Sequence, residues 1–164
     1  MGTPRYRWDC VVQQRQKQGC LRASCTVIGE LAPSMTKISY YILNEDSIEA
    51  RTRFAVKFVR QSYRKGLNIH CHVATESEAQ NLDQLLWDDQ ESFIPHEINQ
   101  GDSHKAPVGI GWQDPADRHG VLVNLGGALP PWFSQFDHLI EIVVQNPNVL
   151  KITRTNWKKL KKVY

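Results

Sequence analysis

The hydrophobic positions of residues 37–87 alternate between strand and helical spacing. The apolar run 37–43 (KISYYIL) predicts a β-strand, and apolar residues three and four positions apart in 47–65 predict a helix. Gly66 follows that helix, and glycine readily adopts the left-handed conformation in which helices end. A second short strand, 68–73 (NIHCHV), precedes the Ser/Thr-x-x-Glu pattern of a capping box, which predicts a second helix up to Trp87.

The second half of the chain continues the pattern with two buried strands, 106–112 (APVGIGW) and 120–125 (GVLVNL). Prolines suit the first turn of a helix, so Pro130 and Pro131 predict the start of a third helix. Its apolar residues would share one face: Phe133, Phe136, Ile140, Val143 and Val144. Pro147 is expected to break it before a last, basic helix over 150–162. Alternating strands and helices predict a three-layer α/β/α sandwich with a mainly parallel sheet of about four to five strands.

The 164 residues suffice for one domain with a sizeable core. Residues 1–34 show no sustained period, so we expect an N-terminal extension that is disordered or a mis-assigned start, followed by the domain at 35–164. Three of the four cysteines lie in that extension without metal-ligand spacing. With no signal-peptide pattern and no apolar run of membrane-spanning length, we expect a cytoplasmic protein with reduced thiols and no membrane contact.

The net charge of +3 arises in the first 34 residues, which hold five Arg or Lys and two acidic residues. From Met35 onward there are 15 basic and 15 acidic residues. Bulk charge therefore gives no reason to class the domain as a nucleic-acid binder.

Motifs for nucleotide or metal chemistry are missing from the sequence. There is no GxxxxGK[ST], and the glycine pairs lack the residues that would complete a phosphate loop. His70 and His72 would point to one face of a strand and Cys71 to the other, so we expect no metal site and no cofactor. Asp88, Asp89 and Glu91 have no cation or histidine base nearby in sequence and are interpreted as a solvated acidic face. Nothing indicates an enzyme.

Two segments combine aromatic with charged residues. Trp87 and Phe93 flank an acidic turn within 82–96; burial in the core is the ordinary fate of such aromatics, and a displayed contact site is the alternative. In the last helix a basic residue, an aromatic and two further basic residues fall at i, i+3, i+4 and i+7: Arg154, Trp157, Lys158 and Lys161. A solvated helix end explains the lysines, but the aromatic among them suits a ligand that is both acidic and hydrophobic.

The succession SEAQNLDQLLWDDQESFIPH, HKAPVGIGW and GVLVNL, after the strand KISYYIL, resembles the chi subunit of bacterial DNA polymerase III holoenzyme from about Met35 to Tyr164. The resemblance implies an α/β/α sandwich without a phosphate loop and a non-catalytic accessory protein of the clamp-loader assembly. Such a protein joins the psi subunit to the acidic C-terminal tail of single-stranded-DNA-binding protein during DNA replication, so that contact with DNA is mainly indirect.

By the same resemblance, Trp87 and Phe93 match the aromatics that contact psi, and a helicase-related protein is an alternative partner at that surface. Arg154, Trp157 and Lys158 match an Arg-x-x-aromatic-basic pattern that binds the tail, with Trp157 where the family more often has Tyr; Lys161 extends the site. The connection from Pro147 to Arg154 departs from the family by being short, so Val149 and Leu150 are only candidate walls of the pocket for the tail's last Phe.

Two other classes of function stay open from the residues themselves. The basic helix with its aromatic also suits a module that binds single-stranded nucleic acid directly. A nucleotide-using enzyme is the third class, for which the fold alone is the motive.

Overall fold

The computed structural model describes residues 36–103 and 105–163, which form a single six-stranded sheet. Every strand pairing in this part of the chain is parallel. The order across the sheet is β1-β6-β5-β2-β4-β3. The strands are β1 Lys37–Ile42, β2 Ile69–His72, β3 His96–Ile98, β4 Val108–Gly111, β5 Val121–Asn124 and β6 His138–Val143.

The helices are α1 Ile48–Arg64, α2 Glu76–Trp87 and α3 Pro147–Val163, with a 3-10 turn at Phe133–Gln135. The predicted ends of the first two helices are confirmed. Gly66 follows α1 at a φ of 75°. The Thr75 hydroxyl accepts from the Glu78 N–H at 3.2 Å, and the Glu78 carboxylate accepts from the Ala74 N–H at 2.8 Å. The capping box therefore forms, with its return bond one residue earlier than usual.

The sheet separates two apolar clusters, so the predicted three-layer sandwich is confirmed. On one face α1 and α2 pack on the central strands through residues such as Val59, Leu82 and Ile110. On the other face α3 and the segment around the 3-10 turn cover the sheet through Leu160, Trp132 and other large side chains. Because the strands are covered on both faces, most of their residues are buried whichever way they point.

The predicted helix after Pro130 and Pro131 is wrong. Phe133 begins a 3-10 turn of three residues, and β6, at His138–Val143, lies inside the sheet between β1 and β5. Apolar residues fall at helical spacing here by coincidence. Five consecutive residues of β6 are buried. A strand covered on both faces can bury all five, whereas a helix that packs on one face cannot.

Two further differences concern element boundaries. Pro147 does not end a helix but stands at the first position of α3, where a missing N–H costs nothing. The span from Pro147 to Arg154 is therefore helical rather than a connection. The three-residue strand β3 was not predicted, and with β6 it makes six strands where the sequence indicated four to five.

The expectation for residues 1–34 falls outside the described residues. Across the part of the chain that is described, none of the helices combines the length and apolar character needed to span a bilayer.

Candidate partner-binding surfaces

Trp87 and Phe93 form an exposed aromatic pair, which we call the aromatic surface. Their exposed fractions are 56% and 68%, so the core alternative does not hold for either. The ring centroids are 5.7 Å apart at 49°. A tilted pair at this distance is a favourable aromatic arrangement, so the two rings already contact each other before any partner arrives.

The turn that displays these rings is fixed from beneath. Ile94, next to Phe93, is buried in the core, and His96 packs under Trp87 with 4.9 Å between ring centroids. The Nδ1 of His96 lies 2.6 Å from the Ile94 carbonyl, to which it donates. Its Nε2 lies 3.3 Å from an Asp83 carboxylate oxygen, in ion-pair range but without hydrogen-bond geometry. The aromatic surface is thus anchored to α2 and β3.

Acidic residues beside the aromatic surface form ion pairs with an arginine that could not be identified from the sequence. Arg60, on α1, lies 2.7 Å from Asp89 and 3.2 Å from Glu91. Asp89 is therefore paired and largely covered, which corrects the interpretation of these acids as a face without a nearby cation. Asp88 stays exposed and closes α2 as its C-terminal cap. The sequence could not reveal this ion pair, because Arg60 and Asp89 are 29 positions apart and meet only in the folded chain.

Arg154, Trp157, Lys158 and Lys161 all lie on α3, as predicted, and we call them the basic stripe. The three cations are exposed and Trp157 is partly buried. Arg154 forms no ion pair within the described part of the chain, so its guanidinium is available to a carboxylate. The Lys161 Nζ lies 5.0 Å from the centroid of the Trp157 ring, a cation–π distance.

The Trp157 ring has a fixed orientation because it meets Tyr40 of β1 edge-on, with centroids 5.6 Å apart at 75°. Leu150, one of the two candidate pocket walls, packs in the same apolar cluster as Trp157. The other candidate, Val149, is buried in that same cluster and also lines a cavity together with Arg51. The structure therefore places both candidates in the cluster against which Trp157 packs.

The histidines of β2 face away from Cys71, as the alternation of a strand predicts. His70 and His72 contact Trp132 on the α3 side of the sheet, whereas Cys71 is buried in the cluster under α1 and α2. Burial lowers the pKa of His72 and raises that of the Cys71 thiol to about 12. Among the described residues there is no group of three His, Cys, Asp or Glu side chains that could hold a metal.

A largely buried polar row crosses the α3 face of the sheet, and no pattern in the sequence indicates it. The strand register aligns four side chains from β1, β6, β5 and β2: Tyr40, Glu141, Asn124 and His72. Burial raises the pKa of Glu141 to about 7, against opposing effects of the Asn124 hydrogen bond, the Arg51 charge and the Asn156 hydrogen bond. Glu141 falls within the segment that was predicted as a helix, so its place in a central strand was missed.

Comparison with known proteins relates the whole described domain to one family. The family model described as "DNA polymerase III chi subunit, HolC" matches residues 35–163. The chain belongs to this family. Both the aromatic surface and the basic stripe lie inside the matched residues, and the resemblance stated from the sequence is confirmed.

Two curated relatives agree with this membership of the chi family. The DNA polymerase III subunit chi of Pseudomonas aeruginosa is 29% identical over 126 residues, which cover 76% of this chain and 88% of the relative. The DNA polymerase III subunit chi of Haemophilus influenzae is 24% identical over 126 residues, covering 74% and 88%. As a chi-family protein, the chain has an accessory role in DNA replication as a subunit of DNA polymerase III.

Proposed function

We propose that the chain is a bridging adaptor of the replicase, which holds the psi subunit of the clamp-loader complex at one surface and the acidic tail of single-stranded-DNA-binding protein at another. The observation that carries this proposal is the presence of two preorganised aromatic sites with opposite surrounding charge. One lies at the end of α2 among acids, and the other lies on α3 among lysines. Each site suits a different class of partner.

The psi subunit is assigned to the aromatic surface of Trp87 and Phe93. Exposed aromatic side chains held in place by their surroundings are typical energetic centres of protein interfaces, because little conformational entropy is lost on binding. The contacts of His96 and Ile94 supply that support. A helicase-related protein that binds the same surface would compete with psi.

The acidic tail is assigned to the basic stripe. Arg154 offers two parallel N–H groups to a carboxylate, and the partly buried side chains of Trp157 and Leu150 offer an apolar contact for a terminal Phe. Charge-assisted hydrogen bonds contribute about 1.5–3 kcal/mol each, so a clamp of this kind with one buried ring supports a dissociation constant of about 1 µM. Many tails on one coated strand would raise the apparent affinity by multivalency.

The adaptor role needs no chemistry from this chain. We propose that it has no catalytic site and no cofactor, that its functional domain is 35–164, and that it acts in the cytoplasm with DNA reached mainly through its partners. The support is the lack of nucleotide-binding motifs in the sequence and the membership of a polymerase subunit family.

Paired single variants test the two sites separately. Arg154→Ala is expected to weaken binding of a tail peptide ending in Phe at least about tenfold while leaving psi binding intact, because it removes a charge-assisted contact. Trp87→Ala is expected to do the reverse. Calorimetry with each purified partner measures both interactions.

Matched controls come from neighbouring positions. Lys159→Ala removes an exposed charge from α3 outside the basic stripe, and Leu67→Ala removes an exposed apolar side chain far along the sequence from the aromatic surface. Both controls should bind both partners normally. If Arg154→Ala or Trp87→Ala abolished both interactions while the protein stayed folded, the two-site adaptor would be the wrong model.

A further inference from the structure

A cavity of about 160 Å³ lies at the carboxyl edge of the sheet, and none of the residues that form the aromatic surface or the basic stripe lines it. It is lined by the turn Gly126–Gly127 after β5, by Arg51 of α1, by Glu141 of β6 and by the α3 residues Ile152 and Thr153. In open α/β sheets the carboxyl ends of the strands are the general place for small ligands. The polar groups that line this cavity decide which ligand it fits.

Arg51 provides a buried positive charge at the cavity. It is only 8% exposed, and three main-chain carbonyls fix its guanidinium: Nε donates to Ile142 at 2.8 Å, Nη1 to Leu125 at 3.0 Å and Nη2 to Asn124 at 3.2 Å. A guanidinium has five N–H groups. The arginine therefore keeps further donors in a fixed orientation at a site that it lines.

Glu141 is the second buried ionisable group of the cavity, with 1% of its surface exposed. Its Oε1 accepts from the Asn124 amide at 2.9 Å and from the Asn156 amide at 3.3 Å. No donor in the described part of the chain is bonded to Oε2. Because Glu141 lines the cavity, this oxygen is available there to a ligand or to water.

The turn contributes main-chain donors. Within residues 36–103 and 105–163, neither the Gly126 nor the Gly127 N–H donates to a protein acceptor. Gly127 has a φ of 89°, and consecutive amides next to a left-handed residue form concavities that attract anions. Val149, in the first turn of α3, also lines the cavity, which places the positive end of that helix dipole close by.

We propose that this cavity is a binding site for a small oxyanion, held by the Arg51 guanidinium, the Gly126 and Gly127 amides and the protonated carboxyl of Glu141. The protonated carboxyl can donate from Oε2 while Oε1 keeps its two amide donors. Burial raises the Glu141 pKa to about 7, so at mildly acidic pH Arg51 is the charged group that lines the cavity, while Glu78 of α2, outside the lining, interacts electrostatically with Arg51. The other groups facing Glu141 are Tyr40 from β1, Asn124 from β5 with His72 beyond it, and Asn156 from α3. This site is independent of the adaptor role.

The proposal predicts a saturable, pH-dependent interaction with sulfate, whose charge is constant across the range of the test. Sulfate is titrated into the full-length protein at pH 6 and at pH 8.5, and the Gly126 and Gly127 amide signals are followed by ¹H–¹⁵N NMR. Ionised Glu141 would repel the anion, so affinity is expected to fall about tenfold or more at the higher pH. In Glu141→Gln the affinity at pH 6 should remain and the pH dependence should disappear.

A cavity-filling variant separates this site from general salt effects. Ile152 is 40% exposed, so Ile152→Trp is expected to fold while its indole occupies the cavity and abolishes the sulfate response. Sodium chloride at matched ionic strength is the control titration. Equal responses to chloride, a linear response without saturation, or an unchanged response in Ile152→Trp would each overturn the anion site and leave buried water as the partner of Glu141. An unaltered pH dependence in Glu141→Gln would overturn the assigned role of Glu141.

Discussion

At the scale of single residues, Glu141 is an ionisable group whose protonation is expected to change the stability of the fold. It is almost fully buried, and desolvation raises its pKa from 4.5 to about 7 although Asn124, Arg51 and Asn156 favour the charged form. A carboxyl whose pKa is higher in the folded state binds its proton more tightly there. Its contribution to stability is therefore complete below pH 4.5 and is lost as the pH rises to about 7.

We predict that Glu141→Gln becomes progressively more stable than the natural protein as pH rises. Glutamine keeps the shape and has no proton to lose, so the difference in free energy of unfolding should increase by on the order of 3 kcal/mol between pH 4.5 and pH 7 and stay constant above. Urea denaturation at a series of pH values measures it.

The difference between the two proteins is the useful quantity because another group titrates in the opposite sense. Burial, with help from Lys37, lowers the pKa of His138 to about 4, so its contribution to stability is lost as the pH falls. That contribution is common to both proteins and cancels. A difference independent of pH would show that Glu141 does not carry a raised pKa.

For single residues, local context in the sequence raised the correct alternative without deciding it. Trp87 and Phe93 flank a turn rich in carboxylates, which suggested display, but burial is the ordinary fate of such aromatics, and only the structure shows that both rings are exposed. Local context could not reveal Arg60 beside Asp89, or the alignment of Glu141 with Asn124, because both depend on which elements pack together. Pairings between distant segments leave no local pattern.

At the scale of elements, the main error of prediction was the helix predicted where the structure has β6. This segment illustrates how a buried strand can resemble a helix in sequence. Five consecutive residues, from Leu139 to Val143, are at most 3% exposed because both faces of the sheet are covered. Such a strand loses the alternation of polar and apolar residues by which strands are recognised. The short β3 was missed for a different reason: its partly buried residues are defined as a strand only by pairing with β4.

An alanine substitution at Ile142 distinguishes the strand from the helix, and Leu139→Ala tests a second buried position of the strand. In a helix with Phe136, Ile140 and Val143 on its apolar face, Ile142 would lie on the opposite face and cost little, whereas Leu139 would flank the apolar face. In the strand both are fully buried, and each substitution should lower the free energy of unfolding by about 2–5 kcal/mol. Chemical denaturation provides the measurement.

The control for these substitutions is Ile48→Ala. Ile48 is 48% exposed at the start of α1, so its loss should change stability by no more than about 0.5 kcal/mol. If Leu139→Ala were as mild as this control, β6 would not be a buried central strand.

At the scale of the whole molecule, charge is separated between two surfaces rather than concentrated. Acids surround the aromatic surface, whereas six basic residues and no acid lie in 151–162. From Met35 onward the numbers of basic and acidic residues are equal. A domain without net charge and with one short cationic stripe is poorly suited to binding nucleic acid directly, since the affinity for nucleic acid depends on many phosphate contacts.

We therefore predict weak binding of a single-stranded oligonucleotide when single-stranded-DNA-binding protein is absent, with a dissociation constant above about 100 µM at about 150 mM salt. Replacing Arg154, Lys158 and Lys161 together by Ala should reduce the slope of log affinity against log salt by no more than about 2, because three contacts to a single strand contribute about 0.7 each. Fluorescence anisotropy across a salt series provides both values. Micromolar affinity that depends on these three residues would instead favour the direct nucleic-acid-binding module.

The parallel sheet also has a consequence for the time course of folding. β1 is an edge strand whose neighbour is β6, so that Lys37 pairs with His138, on the far side of the chain in sequence. Pairings this distant in sequence form slowly, because a long loop must close, with a loss of entropy, before the two strands make any stabilising contact. During synthesis β1 therefore cannot pair until β6, the last strand in the described part of the chain, has left the ribosome. Until then β1 lacks its neighbour in the sheet.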